Sequence, residues 1–326
     1  MSDDPGIAPE YDVRLPLYQR LEEEAVFVLS AALESAGIKS HSVSSRVKTL
    51  SSLEDKSARK GYRNPLNEAS DIVGTRIVTL FLSDLPQVRE IVKDRFDVVA
   101  SDDKIGDSDP STFGYMSEHY VVRLGTTYQG ARYDDIQDTP FEVQIRTILM
   151  DAWANVSHYL AYKGEASVPA DLRKDFHALS GLFYVADQHF EMFFKGAMES
   201  RSNATANIEE GGADTEINLE TLGVLLQKQY PDRKHAPRSS ISEVVEEITE
   251  CGYENLGAIA ETLELADDLV KEYEREHPPG AAGDGRYSDV GAVRKALAIS
   301  DAKYARRKYH SDTPFERYRR MLSSSA

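Results

Sequence analysis

The chain has 326 residues, 41% of them apolar, with 11 Phe and 17 Tyr. That is enough to build a core and excludes wholesale disorder. A formal net charge of −17 disfavours sequence-independent binding to nucleic acid. The single cysteine, Cys251, excludes an internal disulfide framework and a cysteine-rich zinc site, and it fits a reducing compartment. There is no run of 18 apolar residues and the N-terminus MSDDPGIAPEYD is acidic. The expectation is a cytoplasmic chain without a membrane span or secretory signal.

Apolar side chains at Leu17, Leu21, Ala25, Val28, Leu29 and Leu33 step by threes and fours. This spacing predicts an amphipathic helix over 14–37 that stops at Gly37. The next stretch, RVKTLSSLEDKSARKGYR, gathers Arg46, Lys48, Lys56, Arg59, Lys60 and Arg63. Its charge alone leaves two readings open, an anion site or a solvated helix face. Its first part reads as extended or loop, and 52–60 as a short helix with Ser52 near its start.

DIVGTRIVTLF, 71–81, is β-branched and mostly apolar, as a buried strand is. SDLPQVREIVKDRF predicts a helix capped by Ser83, with Pro86 in its first turn and Val88, Ile91 and Val92 inward. FDVVA is a second strand, SDDKIGDSDPST a polar loop, and HYVVRLG a third strand. In TPFEVQIRT, Phe141, Val143 and Ile145 alternate with Glu142, Gln144 and Arg146, which places three polar groups on one face of a fourth strand. ILMDAWANVSHYLAYKG reads as a helix with Leu149, Trp153, Val156 and Leu160 as its core stripe, and a further helix covers roughly 170–198.

These elements amount to a mixed α/β core over 14–200. The composition then turns small and polar, marking a linker over 201–216. Residues 217–326 read as a helical C-terminal region, broken at PPGAAGDGRYSD and basic near its end.

Asp71 opens one buried strand and Glu142 lies on another. Two carboxylates at one sheet edge suit a hard cation such as Mg²⁺ beside substrate phosphates. With a cationic cluster nearby they supply the parts that phosphoryl transfer requires. Neither a GxxxxGK[ST] loop nor a kinase glycine loop is present, so such chemistry needs another scaffold.

Five segments, SRVKTLSSLEDKSARK, DIVGTRIVTLF, FGYMSEH, FEVQIRT and MDAWANVSHYLAYK, occur in this order over about residues 15–195. Together they resemble the synthetase domain of the RelA/SpoT family of (p)ppGpp synthetases, in particular its small, single-domain members. The resemblance implies a nucleotidyltransferase-like fold, a mixed sheet flanked by helices. It implies Mg²⁺-dependent transfer of the β,γ-pyrophosphoryl group of ATP to the 3′-hydroxyl of GDP or GTP. Arg46 and Lys48 match the family's R-x-K, and Arg76 matches the arginine of D-x-x-G-x-R. The resemblance then implies that Arg46 and Arg76 sandwich the adenine, which guanidinium planes do by stacking and cation–π attraction. It implies that Lys48, Ser52 and Lys56, with Lys60 as a further candidate, hold the ATP phosphates, and that Asp71 binds Mg²⁺. Glu142 would bind Mg²⁺ or take the proton from the attacking hydroxyl, and the two roles stay open.

On the acceptor side, Tyr115 falls on the guanine-stacking tyrosine, beside Gly114. His119 falls on the histidine near the acceptor phosphates. Gln144 is site-facing, and Arg146 is a phosphate or structural contact. Asp151 lies where the family contacts guanine, and a carboxylate can accept from N1–H and N2–H of that base together.

The match departs in two places. Ser111 stands where many members carry the lysine of P-K-x-x-G-Y, with Lys104 as a replacement from the same loop. Ser157 stands where a glutamate is common. No His-Asp dyad of the family's hydrolase domain is found. Two alternative functions are a toxin of the same fold that pyrophosphorylates the tRNA 3′ end, and a catalytically weak nucleotide-binding regulator. For the first, Arg59, Lys60, Arg63 and the 303–320 tail are the candidate patch. For the second, the partner surface is the region after residue 216. Members of the family often assemble into oligomers, which extends to this chain as the expectation of a homo-oligomer.

Overall fold

The computed structural model describes residues 7–103, 117–160, 168–210, 215–280 and 285–325. It divides into two compact units, Met1–Phe193 and Phe194–Ala326.

The first unit opens with α1 (Ala8–Ser35), which buries Tyr11, Tyr18, Leu21, Ala25, Leu29 and Leu33 along one face. It starts before residue 14 because Pro9 suits a first turn, and it ends where Gly37 takes φ +69°, a conformation that favours glycine. Then follow β1 (Ser42–Val47), α2 (Leu50–Lys60), α3 (Pro65–Glu68), β2 (Val73–Thr79), α4 (Asp84–Arg95), β3 (Phe96–Asp103), β4 (Glu118–Leu124), β5 (Phe141–Thr147), α5 (Ile148–Leu160) and the start of α6 (Arg173–Glu210). The sheet order is β1-β2-β5-β4-β3. β2 and β5 run parallel and the other neighbours antiparallel.

Alternation sorts the side chains of the sheet onto two faces. Val73 and Ile77 of β2, Tyr120 and Val122 of β4, and Phe141, Val143 and Ile145 of β5 are buried in one core. Leu21, Leu29 and Leu33 of α1 and Leu85, Val88 and Val92 of α4 complete it. A buried aliphatic side chain contributes roughly 1.5–3 kcal/mol, so this face fixes the strand register. The opposite face carries the polar set. Arg46 pairs with Gly74 and Gly74 with Glu142, and Ser44 pairs with Arg76, Arg76 with Gln144 and Gln144 with His119.

Four local expectations differ from the structure. α2 begins at Leu50, two residues before the expected start, because the Thr49 hydroxyl caps it by accepting from the Ser52 N–H at 3.3 Å. Ser83 precedes α4 without making a side-chain cap, and its Oγ is buried with no hydrogen-bond partner. In α5, Met150 and Trp153 are buried while Val156 and Leu160 are exposed. Trp153 lies against Phe176 and Phe183 of α6, and that contact selects the inward stripe. α6 runs on to Glu210, so residues 201–210, expected as linker, are helical.

The second unit contains α7 (Leu219–Gln229), α8 (Arg238–Cys251), α9 (Leu256–Glu276), α10 (Asp289–Ser300), α11 (Ala302–Tyr309) and α12 (Thr313–Ser325). Leu222, Leu226, Val244, Ile248, Leu263, Val293, Leu297, Tyr304 and Phe315 share its core. The basic tail is charge-compensated inside this unit. Arg307 pairs with Glu250, Lys308 with Glu247, Arg317 with Glu272 and Glu276, and Arg320 with Glu316. Among the described residues no helix is long and apolar enough to cross a membrane.

Candidate active site

Asp71 lies just ahead of β2, and Glu142 is the second residue of β5, the parallel neighbour of β2. The topology therefore brings both acids to the N-terminal ends of adjacent strands. The Asp71 charge is felt at Glu142 as the smallest of the influences on that carboxyl, opposing but not reversing its net lowering, so the two carboxylates share one locality.

Asp71 is held from two directions. Its Oδ2 accepts from Lys48 Nζ at 2.7 Å and lies 2.6 Å from Lys56 Nζ. Burial raises its pKa, but the hydrogen bonds and charges of the two lysines outweigh that and hold it below the ordinary carboxylate value. Lys48 is itself fixed, since its N–H donates to Ile72 O at 2.7 Å and its carbonyl accepts from Tyr11 Oη at 2.8 Å. Asp71 Oδ1 is buried with no hydrogen-bond partner, a position that costs free energy unless a cation or donor occupies it. Ser52, Lys56 and Lys60 follow at intervals of four along α2, so they share a helix face. Ser52 and Lys60 on that face are exposed.

Across the sheet a continuous hydrogen-bonded line begins at Ser117. Its Oγ lies 2.6 Å from His119 Nε2, and His119 Nδ1 lies 2.8 Å from Glu142 Oε1. Gln144 Nε2 donates to Glu142 Oε2 at 2.8 Å, and Gln144 Oε1 accepts from Arg76 Nε at 3.3 Å. Arg76 NH1 donates to Asp151 Oδ1 at 2.9 Å. Arg146 NH1 reaches the same oxygen at 3.4 Å, and Asn155 Nδ2 donates to Asp151 Oδ2 at 2.9 Å. Burial would raise the Glu142 pKa, yet the donors His119 and Gln144 prevail and lower it. Glu142 is thus an ionised carboxylate with a donor on each oxygen.

Gly74 lies between Arg46 and Glu142 in the strand register. A Cβ built there meets no atom within 4 Å, so the glycine leaves open floor on the polar face. Arg46 is exposed at the edge of that floor.

The structure therefore brings Lys48, Lys56, Asp71, Arg76, His119, Glu142, Gln144 and Asp151 together through ion pairs, hydrogen bonds and strand register. Tyr115 lies outside the described residues, as do Gly114, Ser111 and Lys104. One feature was not singled out from sequence. Ser117, just ahead of β4, closes the line at its far end, and the signal available was its i, i+2 spacing to His119. Glu118, by contrast, is buried on the opposite face, where Arg89 of α4 grips it with Nε at 2.8 Å and NH2 at 2.6 Å. Tyr120 Oη adds a third bond at 3.0 Å. Arg146, left open as a phosphate or structural contact, is 11% exposed at its side chain and pairs with Asp151.

Comparison with known proteins places this geometry. Residues 45–167 match the family model described as a region found in RelA / SpoT proteins. GTP pyrophosphokinase YwaC of Bacillus subtilis (strain 168) is 30% identical over 148 residues, which are 44% of this chain and 69% of that protein. The chain belongs to the RelA/SpoT family. A second family relative, GTP pyrophosphokinase YjbM of the same organism, is 33% identical over 135 residues, 40% of this chain and 61% of its own length. The crystal structure of the small alarmone synthetase 1 from Bacillus subtilis superposes with a TM-score of 0.50 at 26% identity, covering 58% of this chain and 98% of the other. The RelA/SpoT match spans β1 to α5, the segment that carries every contact of the hydrogen-bonded line.

Proposed function

We propose that this chain is a pyrophosphokinase that moves the β,γ-pyrophosphoryl group of ATP onto the 3′-hydroxyl of GDP or GTP. The observation that carries the reading is the unbroken polar line from Ser117 through Glu142 to Asp151, flanked by the Lys48–Asp71–Lys56 cluster. Both curated relatives are GTP pyrophosphokinases, which supports the reaction class.

In this reading Arg46 and Arg76 bracket the adenine of the donor, and Lys48, Ser52, Lys56 and Lys60 face its phosphates. Tyr115 stacks on the acceptor base and Asp151 reads guanine. The lysines now on Asp71 turn to phosphate when the donor arrives, because a multiply charged anion outcompetes one carboxylate for them. Asp71 would hold Mg²⁺, and its buried unpartnered Oδ1 fits a hard cation that needs only one or two protein oxygens. Bound there, Mg²⁺ would neutralise charge on the donor phosphates. Glu142 stands beside the acceptor hydroxyl and accepts its proton. The 3′ oxygen bonds to the β-phosphorus, the bridge to the α-phosphate breaks, and AMP leaves.

The test offers labelled ATP and Mg²⁺ to the purified chain with GDP, GTP, AMP, ATP and tRNA in parallel, with Glu142→Gln as the blank. Label on GDP or GTP alone is the expected result. Label on tRNA favours the toxin reading, against which the tail's internal ion pairs count. Nucleotide binding without turnover on any acceptor favours a regulator.

A further inference from the structure

We propose that the C-terminal unit holds a binding site for a phosphorylated small molecule of nucleotide size, in the cavity between the end of α7, the C-terminal half of α9 and the segment leading into α10. The site lies wholly within the second unit, and its binding chemistry is independent of the pyrophosphokinase reading.

The cavity has a volume of about 540 Å³, within the range that small-molecule sites occupy. One wall is fixed by a buried ion pair. Arg233 NH1 donates to Glu274 Oε1 at 2.7 Å and to Tyr287 O at 3.0 Å, and its NH2 donates to Glu274 Oε2 at 3.3 Å. The Tyr287 N–H adds a bond to Glu274 Oε1 at 2.6 Å. Glu274 is thereby answered on both oxygens. The Arg233 guanidinium lies 5.3 Å from the ring centre of Tyr230. Tyr230 lines the same cavity and is 4% exposed, and its hydroxyl has no hydrogen-bond partner. Burial pushes the pKa of that hydroxyl up, and the Asp267 charge adds to the rise. A buried hydroxyl without a partner costs free energy until an acceptor or donor is supplied.

Charge selects the ligand. Among the described residues the lining holds four cations, Arg233, Lys271, Arg275 and Arg286, against three acids, Asp232, Asp267 and Glu274. The surplus of one positive charge stands out in a chain of net charge −17 and favours an anion. Glu274 is already spent on Arg233, and Asp267 Oδ2 takes Lys271 Nζ at 2.6 Å. Lys271 also reaches Asp268 at 3.4 Å on the outer side. Arg275 gives only its Nε, to Lys271 O at 3.4 Å, so its two terminal NH2 groups remain for a ligand. Lys271 and Arg275 are four residues apart on α9 and therefore neighbours on its surface. A phosphate group carries enough charge and enough oxygens to engage an ammonium and a guanidinium fork together. Drawing Lys271 onto phosphate releases Asp267, which then offers an acceptor to the Tyr230 hydroxyl. One phosphate fills only part of the cavity, and the remainder takes the organic body of the ligand.

The experiment offers the full chain orthophosphate, pyrophosphate, GTP and citrate in turn, and reads hydrogen exchange by mass spectrometry together with calorimetry. Pyrophosphate or GTP should slow exchange in 229–233 and 267–278. Lys271 and Arg275 are exposed, so the double variant Lys271→Gln/Arg275→Gln should fold normally. It should lose that protection and weaken the matching calorimetric event about 100-fold, about tenfold for each cation. Lys48→Met/Lys56→Met, in the first unit, should leave the protection in place, which separates this site from the active site. Asp267→Asn removes the competitor for Lys271 and should tighten binding about threefold, a gain that general damage to the fold does not produce. Protection by GTP but not pyrophosphate assigns a nucleotide, and protection by both assigns the phosphate group as the feature read; either upholds the proposal. No protection by any phosphate, protection that survives the Lys271→Gln/Arg275→Gln change, or weaker binding in Asp267→Asn overturns it. Citrate acting as well as pyrophosphate overturns the phosphate assignment, and orthophosphate acting alone overturns the nucleotide-sized ligand. None of these readouts needs turnover, so a failed transfer assay leaves them valid.

Discussion

Glu118 and His119 are adjacent in the chain and face opposite sides of the sheet. Glu118 is 1% exposed and locked by Arg89 from α4, while His119 contacts Glu142 on the polar face. The alternation of a strand splits a charged dipeptide into a structural half and a site half. The two halves should separate experimentally. Arg89→Met leaves a buried carboxylate short of its ion partner and should cost about 3 kcal/mol of stability. His119→Ala, on a partly exposed site at 19%, should change stability by about 1 kcal/mol and abolish most transfer. Urea unfolding and initial rates on the same samples check both. Loss of stability from His119→Ala with activity retained would reverse the assignment.

That split was only half legible in the sequence. β2 and β5 could be read because DIVGTRIVTLF is β-branched and FEVQIRT alternates, but pairing His119 with Glu142 requires the register between β4 and β5, which no local pattern carries. α5 is apolar on more than one side, so periodicity alone could not choose Met150 and Trp153 over Val156 and Leu160. The choice is made by Phe176 and Phe183, which pack on Trp153 from more than 20 residues further along the chain. Ser83 has the right residue type for a cap, yet its backbone already sits in the helical region, φ −63° and ψ −18°, where a capping residue is extended, and its hydroxyl makes no cap bond. The composition of 201–210 is small and polar, yet the segment continues a helix begun at Arg173, because propagation of an existing helix costs far less than nucleation.

Asp71 is the point where the lysine pair and the proposed cation meet. Asp71→Asn keeps the shape and removes the charge. It should lower kcat by about 10²–10³ while leaving the circular dichroism spectrum unchanged. Lys48→Met should instead raise the ATP KM, because Lys48 is assigned to a phosphate that is bound before and after the chemical step. Rates at varied ATP distinguish the two. An Asp71→Asn variant within threefold of wild type would remove Asp71 from the site.

Asp187 of α6 supplies a pH prediction independent of catalysis. Burial pushes its carboxyl up to about 6, the hydrogen bond from Thr147 Oγ1 opposes that, and the Glu191 charge adds to the rise. Asp84 of α4 is also raised, by burial and by the same Glu191. A carboxyl whose folded pKa lies above its unfolded value binds its proton more tightly when folded. Its contribution is therefore fully present below the unfolded pKa and is lost as pH rises through about 6. At neutral pH the ionised group costs up to about 3 kcal/mol relative to a neutral isostere. Asp187→Asn should thus raise the Tm at pH 7.5 and bring little change at pH 4. Equal shifts at both values would show that Asp187 is not desolvated as described.

The account stands or falls on whether two phosphates move together. The most direct measurement follows AMP, ADP and guanine nucleotide in one reaction containing ATP, GTP and Mg²⁺. Release of AMP in equal amount to a guanine nucleotide bearing a 3′-diphosphate, absent with Glu142→Gln, is the expected result. Formation of ADP in place of AMP, or AMP release that ignores the guanine acceptor, would contradict it.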